Sequence, residues 1–195
     1  SLAGKPMIQW VWERTRRAKT ISRVVIATDD ERILAAAKGF GADAEMTDPQ
    51  HASGTDRVAE VAGHHRCSLV VNVQGDEPLI DPRMIDEAVR CLRRNPTFGM
   101  ATLCRRIDDP GDILAPQVVK VVRRKSTEAL YFSRHPIPFA RNPDEARPVY
   151  YKHIGLYVYR TAALRKLVSL PVSPLERAEK LEQLRALENS MRMDV

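Results

Sequence analysis

The run Val73-Gln74-Gly75-Asp76-Glu77-Pro78 joins a strand end, a glycine that lets backbone approach a ligand closely, and a carboxylate. Asp76 in that setting suits Mg²⁺ held against nucleotide phosphates, because magnesium takes few protein carboxylates and completes its shell with water and phosphate oxygens. A polar turn with an Asp near a Pro accounts for the same residues. A second segment, His51-Ala52-Ser53-Gly54-Thr55-Asp56-Arg57, precedes a helix. Its amides can receive an anion while Arg57 neutralises phosphate, or Ser53 or Thr55 can cap the helix while Arg57 faces water. Arg134 and His135 follow the strand-like Tyr131-Phe132-Ser133, and Thr28-Asp29-Asp30 closes another strand. In open α/β sheets ligands gather at such strand ends.

Two further pairs stand apart. His153 and Tyr157 are four apart in a strand-like run, which puts both on one face, toward core or cleft. Glu182 and Gln183 are adjacent polar residues in an apolar helical pattern, where they line a pocket or edge the core. Lys5 in Gly-Lys-Pro has no GxxxxGK[ST] around it, which excludes a P-loop. His64 and His65 lack metal-site spacing and are read as surface residues, and Cys67, Cys91 and Cys104 form no CxxC pair.

These groups need a scaffold, and strand-length apolar runs alternate with helix-period segments as in a mainly parallel sheet covered on both faces. A helix over Pro6 to Arg17 precedes a strand at Arg23 to Thr28; Asp29 or Asp30 caps the next helix, which Gly39 and Gly41 can end. Ala42 to Met46 reads as a strand, Asp56 to His65 as a helix and Leu69 to Gln74 as the strongest strand. Asp81 and Pro82 are an N-cap and N1 pair for a helix through Ile85, Val89 and Leu92. The second half is richer in strands: Gly99 to Arg106, Val118 to Arg123, Ala129 to Arg134 and His153 to Arg160, with prolines 136, 138, 143 and 148 in the connections. Ser173-Pro174-Leu175-Glu176 is a capping box opening a helix with Leu181, Leu184 and Leu187 on its apolar stripe. A strand begins at Met193.

The 195 residues fit one domain, with 44% apolar and 29% charged residues and no biased tract. No run approaches the roughly 18 apolar residues of a membrane span and the start has no signal-peptide apolar block, so the expected location is cytoplasmic. The net charge of +6 is spread along the chain without interleaved aromatics, which favours a solvated surface over a nucleic-acid partner.

The ordered set of segments resembles the 3-deoxy-manno-octulosonate (KDO) cytidylyltransferases, or CMP-KDO synthetases. The resemblance runs from Gly4-Lys5-Pro6-Met7-Ile8 through Ala27-Thr28-Asp29, Ser53-Gly54-Thr55-Asp56-Arg57, Val71 to Pro78, Gly99-Met100-Ala101-Thr102 and Val118 to Val122. It continues through Ala129 to Arg134, His153-Ile154-Gly155-Leu156-Tyr157 and Ser173 to Glu176, ending at Leu181-Glu182-Gln183-Leu184-Arg185. It implies a Rossmann-like nucleotidyltransferase fold that joins CTP to KDO with release of pyrophosphate for lipopolysaccharide assembly. It also implies a homodimer and a β-rich sugar-binding and dimer-forming subregion at about 118–160.

By this resemblance Asp76 is a magnesium ligand and, with Arg134, catalytic. Ser53, Gly54 and Arg57 receive the nucleotide, and Gln74, Arg134, His153, Tyr157, Glu182 and Gln183 surround the sugar acid, Arg134 taking its carboxylate. The family's N-terminal nucleotide loop and its later Val-Asp-Thr-Pro segment with a second metal-binding Asp do not occur in residues 1–195. The expectation is therefore a chain incomplete at both ends and, by itself, a poor catalyst. Two rival readings remain: a CMP-sialic acid synthetase or other sugar nucleotidyltransferase, and a non-catalytic nucleotide or nucleic-acid binder.

Overall fold

Short β-branched runs separated by capped amphipathic segments fold, in the computed structural model, into an α/β arrangement described for residues 2–142 and 148–195. Ser1 and Pro143, which the sequence places at the start and in a proline-rich connection, lie outside the described residues. The first half alternates helix and strand: α1 (Met7–Thr15), β1 (Val25–Thr28), α2 (Glu31–Gly39), β2 (Asp43–Met46), α3 (Gly54–His64), β3 (Leu69–Asn72) and α4 (Pro82–Arg94). Local chemistry fixes the helix starts. Asp30, Ser53 and Asp81 accept from the amides of Arg32 at 2.7 Å, Asp56 at 3.2 Å and Arg83 at 2.9 Å, each satisfying an amide that has no partner within its helix. Gly41, at φ +81°, makes the left-handed turn from α2 into β2 that a side chain would resist.

The second half comprises β4 (Met100–Arg106), α5 (Pro110–Leu114), β5 (Lys120–Arg123), β6 (Ala129–Ser133), β7 (Tyr151–Arg160), α6 (Thr161–Ser169), α7 (Pro174–Glu179), α8 (Gln183–Glu188) and β8 (Met193–Asp194). Two sheets result. β1 and β2 pair in parallel, while a six-stranded sheet runs β6-β5-β7-β4-β8 with β3 also on β7. The sheet, expected to be mainly parallel, is parallel among the described residues at β1–β2 and β4–β8, whereas β3–β7, β4–β7, β5–β6 and β5–β7 are antiparallel. The cause is β7, a ten-residue strand that runs against all three of its neighbours.

Side chains alternate across β7 and build a core on each face. Leu156 and Val158 pack with Ile85, Val89 and Leu92 of α4, whereas Tyr159 packs with Phe132, with Leu164 and Leu167 of α6 and with Leu184 of α8. Helices thus cover both faces, as the sequence pattern requires. Ile85, Leu92 and Leu184 are fully buried, each contributing about 1.5–3 kcal/mol of transfer free energy.

The helix expected from Ser173 onward is two helices. Lys180, at φ +53°, stops α7, and α8 starts at Gln183. Across the break Arg185 Nε and Nη2 donate to the Glu176 carboxylate at 2.8 and 2.6 Å, in a pair with both residues buried. Burial alone would raise the Glu176 carboxyl; Arg185 and the Ser173 amide outweigh it and the net shift is downward from 4.5. This carboxylate therefore contributes stability that is present above about pH 4.5 and lost as pH falls through its lower folded value. Arg185→Met should cost about 3–5 kcal/mol in urea unfolding at pH 7, because Glu176 is left buried and unpaired. It should also flatten the acid limb of the stability curve.

Candidate active site

The middle of β7 is where the site opens. On one edge its start pairs with β5, through Lys152 opposite Lys120, and its end pairs with β3, through Asn72 opposite Tyr157. Between these pairings β5 and β3 part, and the face carrying His153, Gly155 and Tyr157 lies in the gap. A β-carbon at Gly155 would meet nothing within 4 Å, so the glycine leaves open space between the two larger rings. His153 and Tyr157 are neighbours, with ring centroids 5.3 Å apart, and Phe132 meets His153 edge-on at 5.1 Å.

His153 is held as a neutral ring. Thr102 Oγ1 points its hydrogen at the carbonyls of Leu156 (2.8 Å) and Ile154 (3.0 Å), so His153 Nε2, 2.8 Å away, must be the donor and Nδ1 the acceptor. Burial lowers its pKa to about 4. Burial likewise raises Tyr157 and Tyr159, which keeps both phenols protonated.

Glu182 is the N-cap of α8 and Gln183 its first residue, not mid-helix as the sequence pattern suggested, and Glu182 lies close enough to Tyr157 to oppose its ionisation. Glu182 Oε2 accepts from Thr55 Oγ1 at 2.8 Å, across 127 residues, and Asn72 Nδ2 reaches the same hydroxyl at 3.4 Å. Glu182 Oε1 and Gln183 Nε2 are buried without a hydrogen-bond partner among the described residues. Buried polar atoms without a hydrogen bond are uncommon in folded proteins; the nearest charge to Glu182 Oε1 is Arg185 Nη2 at 4.0 Å, beyond hydrogen-bond length. Burial raises the Glu182 pKa, partly offset by Thr55 and by Arg185.

Arg134 follows β6. Its Nε, Nη1 and Nη2 donate to the carbonyls of Glu179 (2.8 Å), Pro116 (3.1 Å) and Lys180 (3.3 Å), while its amide donates to Glu179 Oε2 at 2.9 Å. Three of the five guanidinium hydrogens are thus committed to backbone and two remain for a ligand carboxylate. The same contacts absorb the carbonyls freed where α7 stops at Lys180.

Ser53 acts as the N-cap of α3, the plainer of its two sequence readings. Arg57 does not face water: Nη2 donates to Asp29 at 2.6 Å and Nη1 to Thr47 Oγ1 at 2.9 Å, tying α3 to the ends of β1 and β2. A β-carbon on Gly54 would lie 3.9 Å from Gln74 Oε1, so Gln74 sits over the first turn of α3. Gly54, Arg57 and Gln74 share one end of a cavity of about 690 Å³. That cavity lies between the β1 and β3 edges and has a mixed lining, with Ile8, Ile26 and Val71 beside Arg23, Asn72 and Arg93. Asp76 is exposed in the turn after β3, and its carboxylate has no ion pair among the described residues. No group of three His, Cys, Asp or Glu converges as a metal site among those residues, so a cation here would rest on Asp76 with phosphate and water oxygens, a donor set that fits Mg²⁺.

A cytidylyltransferase family profile matches residues 1–193. The chain is 54% identical over 203 residues to a 3-deoxy-manno-octulosonate cytidylyltransferase of Geobacter sulfurreducens, covering 100% of this chain and 81% of that protein. The chain belongs to the 3-deoxy-manno-octulosonate cytidylyltransferase family. The Solibacter usitatus relative of the same name is also 54% identical, over 100% of this chain and 77% of its own. A solved CMP:2-keto-3-deoxy-manno-octonic acid synthetase complexed with CTP superposes with a TM-score of 0.94 at 41% identity, covering 100% of this chain and 79% of that one.

For this cytidylyltransferase the structure packs His153 on Tyr157, sets Glu182 close enough to Tyr157 to oppose its ionisation with Gln183 next in the chain, and holds Arg134 at the break between α7 and α8. Ser53, Gly54, Arg57 and Gln74 gather at the first turn of α3, and Asp76 stands alone. Sequence reasoning missed Thr55 as a bridge and missed Thr102, Glu179 and Lys120 altogether. Only Lys120 left a local signal, a charge inside the apolar run Val118-Val119-Lys120-Val121-Val122.

Histidine-selective NMR should show His153 neutral and Nε2-protonated at pH 7, titrating near pH 4. An unfolded histidine takes its proton near 6.5, so this residue contributes stability that declines as pH falls from 6.5 toward 4 and is level above that window. Replacing Thr55 by Val should raise the Glu182 pKa further, read as an upward move of its side-chain carboxyl titration.

Proposed function

We propose that this chain transfers CMP from CTP to KDO, giving CMP-KDO and pyrophosphate for lipopolysaccharide assembly. One observation carries the reading: Glu182 Oε1 and Gln183 Nε2 are buried without a hydrogen bond, Glu182 is close enough to Tyr157 to oppose its ionisation, Tyr157 packs on His153, and Arg134 at the neighbouring helix break keeps two uncommitted donors. A sugar acid supplies what each lacks, hydroxyls for the first four and a carboxylate for Arg134. The names of the relatives and the CTP complex of the solved neighbour support the choice of nucleotide and sugar.

In this reading the anomeric hydroxyl attacks the α-phosphorus of CTP in line, its proton passes to solvent, and the α–β phosphoanhydride bond breaks to release pyrophosphate. The chain's own part is positioning and electrostatics. Arg134 anchors the carboxylate, and His153 accepts a sugar hydroxyl at Nδ1 because Nε2–H is committed to Thr102. Glu182 and Gln183 hold further hydroxyls. Ser53 and Gly54 start α3, whose N-terminal amides face anionic phosphate, and Gln74 stands over that turn. Arg57, braced by Asp29 and Thr47, adds positive charge at the same end. Mg²⁺ at Asp76, when bound, offsets charge on the triphosphate and the leaving pyrophosphate.

The proposal includes a cytoplasmic homodimer. Among the described residues no helix is long and apolar enough to cross a membrane. Phe139, Leu130 and Val149 in the 118–160 subregion are 86%, 49% and 44% exposed, an apolar surface suited to a second copy. Sedimentation of the intact protein should give twice the chain mass.

The deciding assay is pyrophosphate release by the intact protein with CTP and Mg²⁺ plus KDO, sialic acid or no acceptor. Release with KDO alone is expected; no release with KDO overturns the assignment. Asp76→Asn should reduce Mg²⁺-dependent turnover by at least about 100-fold while circular dichroism stays unchanged, since the carboxylate is exposed and supports no part of the fold.

A further inference from the structure

Lys120 is fully buried at the start of β5 and uses every hydrogen it has on backbone. Its Nζ donates to the carbonyls of Ala115 (3.0 Å), Val118 (2.6 Å) and Arg134. Three acceptors around one nitrogen require the ammonium form, because a neutral amine carries only two hydrogens. No hydrogen is left for a ligand, so Lys120 is not a binding residue.

What it joins is specific. The turn through residues 115–118 also supplies the Pro116 carbonyl that receives Arg134 Nη1 at 3.1 Å, and Val119 supplies the carbonyl for the His153 amide at 2.8 Å. Arg134 is thus gripped at its carbonyl by Lys120, at its amide by Glu179, and at its guanidinium by the turn that Lys120 itself holds. A buried cation is costly, and burial does depress this amine, with Glu179 opposing the shift. An apolar side chain of equal length would serve packing at lower cost.

We propose that Lys120 is a positioning residue that sets the height and direction of the Arg134 guanidinium for the carboxylate of the sugar acid. The proposal rests on the assignment of Arg134 above and adds a residue that touches neither substrate. Its effect must therefore fall on the sugar acid and spare the nucleotide, and it must pass through Arg134.

The test is steady-state pyrophosphate release by the intact protein and its K120M, R134A and K120M/R134A variants. KDO is varied at saturating CTP and the reverse, with melting curves confirming that each variant is folded at the assay temperature. K120M should lower kcat/KM for KDO by about 10- to 100-fold, the scale of a misplaced binding group, and leave KM for CTP within about twofold. In the R134A background the same change should have almost no further effect. Equal losses for both substrates, or losses that add in the double variant, overturn the proposal. If K120M does not fold, K120Q, which keeps two N–H donors on a shorter stem, is read by the same two criteria. A normal KDO response in R134A would instead remove the Arg134 assignment and the proposal with it; a defective R134A beside a normal K120M would remove the proposal alone.

Discussion

A strand has two edges, and β7 must serve three neighbours. β4 takes one edge along its length, so β5 and β3 divide the other, and neither reaches its middle. The site follows from that division. Where β5 and β3 part, the sequence sets His153 and Tyr157 on β7 with Gly155 between them. The antiparallel direction of β7 matters too, since it brings the start of β5 and the end of β3 to the same place along the sheet.

Around this gap a few long-range polar contacts substitute for regular secondary structure. The Thr55 hydroxyl donates to the Glu182 carboxylate and so joins the first turn of α3 to the N-cap of α8. Arg134 and Glu179 hold the break that ends α7, and the Arg185–Glu176 pair fastens the two short helices across it. A continuous helix would have kept Glu182 and Gln183 on its side, a turn further from its start. Breaking it at Lys180 sets them at a helix N-terminus, where their polar atoms can remain without internal partners.

Much of the scaffold was legible because its causes are local. Asp30, Ser53 and Asp81 cap helices through bonds two or three residues long, and the apolar runs of β1, β3, β4 and β5 need no distant partner to be recognised. The break at Lys180 was not legible, since it depends on a guanidinium 46 residues away. Nor was strand direction, because an antiparallel β7 is a pairing decision and leaves no periodicity of its own. α6 carries no side-chain N-cap signal, its N-cap being Arg160, and went unread. Of the site, the residue types were readable and the groupings were not: Gln74 was expected with the sugar and stands over Gly54, and Arg57 is held by the Asp29 carboxylate and the Thr47 hydroxyl where the plainer reading put it in water.

The facing edges of β1 and β3 have a different consequence. Among the described residues β1 is paired with β2 alone and β3 with β7 alone, so each presents a row of amides and carbonyls toward the cavity between them. Unsatisfied strand edges are templates, and two that oppose one another can clasp an extended peptide from both sides.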